Sequence, residues 1–247
     1  DETFLSVWQT AMQISTLTDG AYDPTLGTLM ELWNINGGGP VPPTAAITEA
    51  LKHTGIEGFH IDGTTVTKDD VQTKLDLGGI AKGYALQEVL RYLNDTEIPY
   101  GIVSMGGNIG VYGEKTDGTP YKIGIKDPKN TSSVVGYLSI GSGFVSVSGS
   151  YERYFVENGK SYHHILDPKT GYPAESGLLS VAVWTQNGAA ADALSTALFV
   201  MGLEDGMAFY DSGKASFEAI FVTADGEVCL TDGLTASGAF QMTADGY

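Results

Sequence analysis

The stretch Leu75-Asp76-Leu77-Gly78-Gly79-Ile80-Ala81-Lys82-Gly83-Tyr84-Ala85 joins two kinds of periodicity. The short apolar run from Val71 to Leu77 reads as a strand. After Gly78-Gly79 the spacing predicts a helix, with Ala81, Ala85 and Val89 on one face and Leu86, Leu90 and Leu93 beside it. A strand that enters a helix through two glycines leaves backbone N–H groups unpaired at the positive end of the helix dipole. Glycine also lets a large anion come close to that backbone, so a phosphate or carboxylate fits there. Asp76 stands at the strand end and Lys82 near the helix start. The pattern of a Walker loop, G-x-x-x-x-G-K-[ST], is absent, and a plain tight turn with a solvated lysine is the other reading.

Toward the N-terminus, Phe4, Leu5, Trp8, Ala11 and Met12 mark one face of a helix that runs to about Leu17, where Thr18-Asp19-Gly20 stops it. Pro24 holds Asp23 extended, so Ala21-Tyr22-Asp23 reads as a loop before a short helix carrying Leu26, Leu29, Met30, Leu32 and Trp33. On local grounds Tyr22 is an ordinary, partly buried aromatic. Thr44 is placed to cap a helix through Leu51, with His53 in its last turn as a surface residue that complements the dipole. Phe59 to Thr67 is a hairpin turned at Asp62-Gly63 and carrying His60. Neither histidine has a functional reading.

Toward the C-terminus, Tyr100 to Ser104 is a strand that breaks at Met105-Gly106-Gly107-Asn108 before extended structure resumes at Ile109. Such a break is a bulge or a place where a ligand meets backbone. Alternating apolar residues predict antiparallel strands around Tyr121 to Ile125, Val134 to Ile140 and Phe144 to Val147. Tyr154 to Ile165 is a hairpin turned at Asn158-Gly159, followed by Leu166-Asp167-Pro168. Adjacent strand residues face opposite ways, so His163 and His164 cannot both enter one site; one of them could carry a proton, with Asp167 near enough to orient it. Leu179 to Trp184 is a strand, Ala189 to Met201 a helix capped by Gly202, and a second short helix follows near Leu203 to Tyr210. Asp192 and Thr196 share a helix face and supply the hard oxygens that Mg²⁺ takes, against the plainer reading of a solvated polar pair. A strand from Phe217 to Thr223, a hairpin at Asp225-Gly226 and an irregular tail end the chain.

The 247 residues are 42% hydrophobic, a globular composition with room for a large core. Thirty acids against thirteen bases give a net charge of −17. That surface repels nucleic acid and anionic membranes. Cys229 is the single cysteine, so no internal disulfide forms. No apolar run is long enough to cross a membrane as a helix, and no signal peptide opens the sequence. Strands and helices interleave irregularly, which predicts an α+β fold of packed helices and a mixed, mostly antiparallel sheet, in a single domain over residues 1–247.

Four stretches in order resemble the ApbE family, the FAD:protein FMN transferases. They are Gly20-Ala-Tyr-Asp-Pro-Thr-Leu-Gly27 with Leu32-Trp33, the stretch from Leu75 to Ala85, Tyr162-His-His-Ile-Leu-Asp-Pro-Lys-Thr-Gly171 with Pro173, and Ala191-Asp-Ala-Leu-Ser-Thr-Ala-Leu-Phe-Val-Met-Gly202. Met105-Gly-Gly-Asn108 fits as well. The resemblance implies a bacterial, Mg²⁺-dependent enzyme that takes FAD as substrate, passes FMN to a Ser or Thr hydroxyl of an acceptor protein and releases AMP. It implies FAD contacts at Ala21, Tyr22, Asp23, Asp76, Lys82 and Ile165. Gly79 (through its carbonyl), Asp192 and Thr196 become metal ligands, and His164 the catalytic base. It also implies an extracytoplasmic lipoprotein whose anchor lies upstream, because the family's N-terminal Met-Gly-Thr strand and following helix precede anything in this sequence. Two alternatives stay open: an FAD pyrophosphatase giving FMN and AMP, and a non-catalytic flavin-binding protein.

Overall fold

The computed structural model describes residues 2–243. An N-terminal helix, α1 (Glu2–Leu17), is followed by α2 (Gly27–Trp33) and α3 (Thr44–Leu51), then by the small hairpin β1 (Phe59–Asp62) and β2 (Thr65–Lys68). Helix α4 (Ala81–Asn94) leads into β3 (Gly101–Met105), β4 (Asn108–Tyr112), β5 (Tyr121–Lys126), β6 (Val134–Ile140) and β7 (Gly143–Gly149). The hairpin β8 (Tyr154–Glu157) and β9 (Lys160–His163) precedes β10 (Leu178–Thr185) and the long helix α5 (Gly188–Asp211). The last elements are β11 (Glu218–Thr223), β12 (Val228–Leu230), α6 (Asp232–Ser237) and β13 (Phe240–Met242).

One six-stranded sheet, in the order β12-β11-β10-β7-β4-β3, forms the frame, and each neighbouring pair is antiparallel. Alternation along its strands splits the core in two. Val181, Val183, Ala219 and Phe221 face α5 and α1, where they meet Leu194, Leu198, Trp8 and Ala11. Val111, Val145, Ala182, Ile220 and Val222 face a three-stranded sheet, β13-β6-β5, and pack on Ile123, Leu138, Ile140 and Phe240. A third cluster joins Leu29 and Trp33 of α2, Ile47 of α3, Phe155 of β8 and Leu166. Trp33 Nε1 donates to the Gly171 carbonyl at 2.7 Å, which ties the segment after β9 to α2. Gly171 holds φ at +72°, and a Cβ there would lie 2.7 Å from Ile47, so both its backbone and its lack of a side chain are required.

Several expectations need correction. Val71 to Leu77 is not a strand: Val71 and Gln72 form a turn, and the rest lies beside the 24–28 turn, with Asp76 N–H donating to Pro24, Gly27 N–H to Lys74 and Thr28 Oγ1 to Gln72. That neighbour is a helix start, which cannot offer a ladder, so only an isolated parallel bridge between Leu26 and Lys74 forms. Helix α4 buries Gly83, Leu86 and Leu90, whereas Ala81 and Ala85 are exposed and Val89 is half-buried. The reason is its crossing with α5, where Gly83 and Gly188 meet without side chains. Thr44 is the first helical residue and not the cap; its Oγ1 lies 2.9 Å from the Tyr172 hydroxyl. His53 is bonded to Asp70 at 2.5 Å and His60 to Asp69 at 3.0 Å. The tail is regular as far as it is described: α6 follows β12, and β13 pairs with β6. The kink within α5 falls at Gly202, with φ +83°, where the sequence places the helix end.

Candidate functional site

Between the start of α4, the middle of α5 and the segment after β9 lies a cavity of about 750 Å³, a size usual for cofactor and substrate sites. Ala21, Tyr22, Asp23, Asp76, Gly79, Lys82, His164, Ile165, Asp192 and Thr196 all line it. Residues far apart in sequence are thus brought to one place by three devices. The α4–α5 crossing sets Asp192 against the first turn of α4. The Asp23 carboxylate accepts from Thr25 N–H and Thr25 Oγ1, at 2.7 and 2.6 Å, and fixes the loop that carries Tyr22. The Trp33–Gly171 bond holds the strand exit that carries His164.

Asp192 is buried, and both its oxygens are held. Gly83 N–H donates to Oδ2 at 2.9 Å, and Ser146 Oγ lies 3.1 Å from Oδ1. One of the unpaired donors expected at the α4 start is therefore taken by a carboxylate of the protein itself. Gly78 N–H is likewise turned back onto Asp76 Oδ1, at 2.7 Å. Thr196 Oγ1 sits 3.2 Å from Ser148 Oγ, and a Cβ on Gly79 would lie 3.4 Å from that same Thr196 oxygen. Asp192, Thr196 and Gly79 thus gather at one spot. The Tyr22 hydroxyl is buried with no hydrogen-bond partner. Its pKa is pushed far up by burial, then by the negative charges of Asp192, Asp76 and Asp23. Burial also raises the Asp23 carboxyl, against the lowering effect of its Thr25 hydrogen bonds.

This concentration of negative charge beside hydroxyl and carbonyl oxygens fits a hard divalent cation. Among the described residues no three His, Cys, Asp or Glu side chains converge to hold a metal. A cation here would rest on one carboxylate, neutral oxygens, water and the oxygens of a ligand, which is how Mg²⁺ is commonly held. The cavity also has basic groups. Lys82, Lys126 and Arg153 line the cavity, in a chain with only thirteen bases. Lys82 Nζ donates to the Gly106 carbonyl at 3.1 Å, so the Gly106-Gly107 turn steers that ammonium. Lys126 lies 3.7 Å from Glu152.

The two histidines part, His163 as the last residue of β9 and His164 just beyond it. His163 is buried against the edge of Phe199; Ile165 N–H donates to its Nδ1 at 3.3 Å, and its Nε2 lies 3.1 Å from the Ala174 carbonyl. Both nitrogens are engaged, and burial lowers its pKa. His164 is half-buried on the cavity wall, with Nδ1 3.3 Å from the Arg153 carbonyl. A carbonyl only accepts, so Nδ1 carries the proton and Nε2 keeps a free lone pair. Burial and the charge of Arg153 push its pKa down to about 3. Asp167 does not orient either ring in the described contacts; its carboxylate accepts from Lys169 N–H.

Sequence reasoning missed Asn108, Ser146, Ser148, Lys126 and Arg153. Asn108 stood in the Met105-Gly-Gly-Asn108 break, read as a bulge or a ligand-to-backbone contact with no role for its side chain. The serines looked like ordinary strand residues, and nothing local marks which strand face receives a helix.

The fold and the site together define an α+β protein with a large cavity lined by both carboxylates and cationic side chains. The model of the ApbE family matches residues 1–221, and the chain belongs to that family. It is 37% identical over 229 residues to a Vibrio cholerae protein named FAD:protein FMN transferase, covering 90% of this chain and 68% of that one. A Klebsiella pneumoniae protein of the same name is also 37% identical, with 90% and 70% covered. Among solved structures, the ApbE protein of Thermotoga maritima superposes with a TM-score of 0.88 at 39% identity, covering 96% of this chain and 78% of the other. The flavin transferase ApbE from Vibrio cholerae gives 0.84 at 32% identity, with 96% and 77% covered.

Proposed function

We propose that this chain transfers FMN from FAD to a Ser or Thr hydroxyl of an acceptor protein, with Mg²⁺ bound at Asp192, Thr196 and the Gly79 carbonyl. The observation that carries the proposal is a shared cavity: a proton acceptor, a hard-oxygen cluster and three cations face one space in a member of a family whose curated relatives are named for this reaction. Lys82, Lys126 and Arg153 hold the diphosphate, while Tyr22 and Ile165 take the flavin nucleotide. The acceptor oxygen attacks the phosphorus on the FMN side, its proton passes to His164 Nε2, and the P–O bond to AMP breaks. Mg²⁺, when bound, neutralises charge on the phosphoryl oxygens. Holding the acceptor at this phosphorus supplies orientation, and Nε2 general-base catalysis.

Mass spectrometry of a candidate acceptor after incubation with FAD, Mg²⁺ and the protein tests the reading. A mass gain equal to FMN less one water at a Ser or Thr, absent in EDTA, is the expected result. Release of free FMN at the same rate with and without acceptor identifies a pyrophosphatase instead. FAD that binds and is recovered intact in every condition identifies a carrier.

A further inference from the structure

Behind Asp192 lies a chain of polar side chains that begins at Asn108 and Ser146, away from the cavity lining. Asn108 opens β4 immediately after the Gly106-Gly107 turn and is the cross-strand partner of Ser146 on β7. Both are buried, so neither is solvated from outside. Ser146 Oγ lies 2.6 Å from Asn108 Oδ1 and 3.1 Å from Asp192 Oδ1, while Asn108 Nδ2 is buried with no partner. A hydroxyl owns one proton and cannot serve two acceptors at full strength, and an unpaired buried amide donor is destabilising. Turning the amide about its last bond, so that nitrogen faces Ser146, ends the competition for the Ser146 proton and leaves the carbonyl oxygen, not the donor, as the unpaired group. The amide then donates to Ser146, and Ser146 is left to donate to Asp192. The neighbouring hydroxyls run in the same sense: Ser195 Oγ donates to the Asp192 carbonyl at 2.9 Å, which leaves Ser148 to donate to Ser195 at 2.8 Å and Thr196 to Ser148 at 3.2 Å. With every proton directed inward, Asp192 and Thr196 present lone pairs to the cavity.

We propose that Asn108 is a positioning residue for Asp192, acting through Ser146. Partners behind a ligating carboxylate fix its orientation, and their loss costs about 10- to 100-fold in metal affinity. The metal half of this inference rests on the proposed function; the positioning half does not.

The test uses Mn²⁺ as the probe, its binding followed by electron paramagnetic resonance of the free ion. Ser146→Ala and Asn108→Ser should each weaken Mn²⁺ binding by about 10- to 100-fold. Because the two act in series, the double variant should bind no more weakly than Ser146→Ala alone. Additive losses, or unchanged Mn²⁺ affinity with only a lowered melting temperature, overturn the proposal. A second measurement needs neither the metal nor those variants. In the metal-free protein the side-chain NH₂ resonances of Asn108 should shift when Asp192 is replaced by the isosteric Asn, and an unmoved pair overturns the relay. Should the wild-type protein bind no Mn²⁺ while the amide still responds, the metal reading fails and the positioning of Asp192 stands.

Discussion

The six-stranded sheet presents two faces of opposite character. Toward the three-stranded sheet it offers Val111, Val145, Ala182, Ile220 and Val222, all buried among other apolar side chains. Ser180 is a polar exception on that side, and its hydroxyl has no partner. Toward α4 and α5 the same strands offer Val181, Val183 and Phe221, but also Asn108, Ser146 and Ser148 at the place where Asp192 and Thr196 arrive. Hydroxyls buried without partners would cost about 1–3 kcal/mol each; these are bonded to one another and to the carboxylate. An apolar layer tolerates swaps of similar volume, whereas a satisfied polar network specifies one geometry. Stability and precision are therefore assigned to opposite sides of one sheet.

That division can be broken or sharpened by substitution. The largest effect is expected from Asp192→Ala, which should remove FMN transfer altogether while the far-ultraviolet circular dichroism stays that of a folded protein; activity surviving at limiting Mg²⁺ breaks the assignment. Next comes His164→Ala, expected to slow transfer by about 10²–10⁴-fold with FAD binding nearly unchanged. His163→Ala should spare the rate far more, since that ring is bonded within the core, and a reversed ranking would move the base elsewhere. On the apolar face, Ile220→Ala should lower unfolding free energy by about 2–5 kcal/mol in denaturant titrations and leave the turnover of the folded protein unchanged. A fall in turnover there would show that the two faces are coupled.

The smallest effect concerns pH. On the proposed reading neutral His164 is the base, and protonation would remove it only below its lowered pKa of about 3, not near 6.5. The acid limb of kcat/KM, which reports the free enzyme, should therefore stay nearly flat from pH 7 to about 5.5 as far as this group decides it. A midpoint at or above 6.5 would show that His164 is solvated in the free protein. The same sign holds for stability: between the folded and unfolded values only the unfolded chain takes up the proton, so His164 contributes a loss of stability as pH falls below about 6.5.

Local chemistry made much of this legible in the sequence. Asp62-Gly63 and Asn158-Gly159 fix their hairpins because the turns need those residues, and Gly202 marks the α5 kink because its φ is positive. The alternation rule separated His163 from His164 with no tertiary information. What stayed hidden depends on partners distant in the chain. Val71 to Leu77 has strand spacing, yet its neighbour is a helix start, so the pattern finds no ladder. Ser146 differs from any strand serine only because Asp192 faces it. Arg153 belongs to the site through the path of the chain after β7, which no spacing encodes. The ten predicted site residues meet in one cavity, whereas the network that holds Asp192 among them was invisible.

The meeting of Gly83 and Gly188 has a consequence for how this sequence can drift. A Cβ on Gly83 would stand 2.1 Å from the Gly188 carbonyl oxygen, and one on Gly188 would stand 2.5 Å from that of Gly83. Neither position can change first, and changing both compounds the clash, so no order of single steps crosses the barrier. The distance between α4 and α5, and with it the placing of Asp192 against the Gly83 amide, is thus inherited as a fixed quantity. Substitution is better tolerated in the apolar layer on the far side of the sheet, where one side chain can compensate for another.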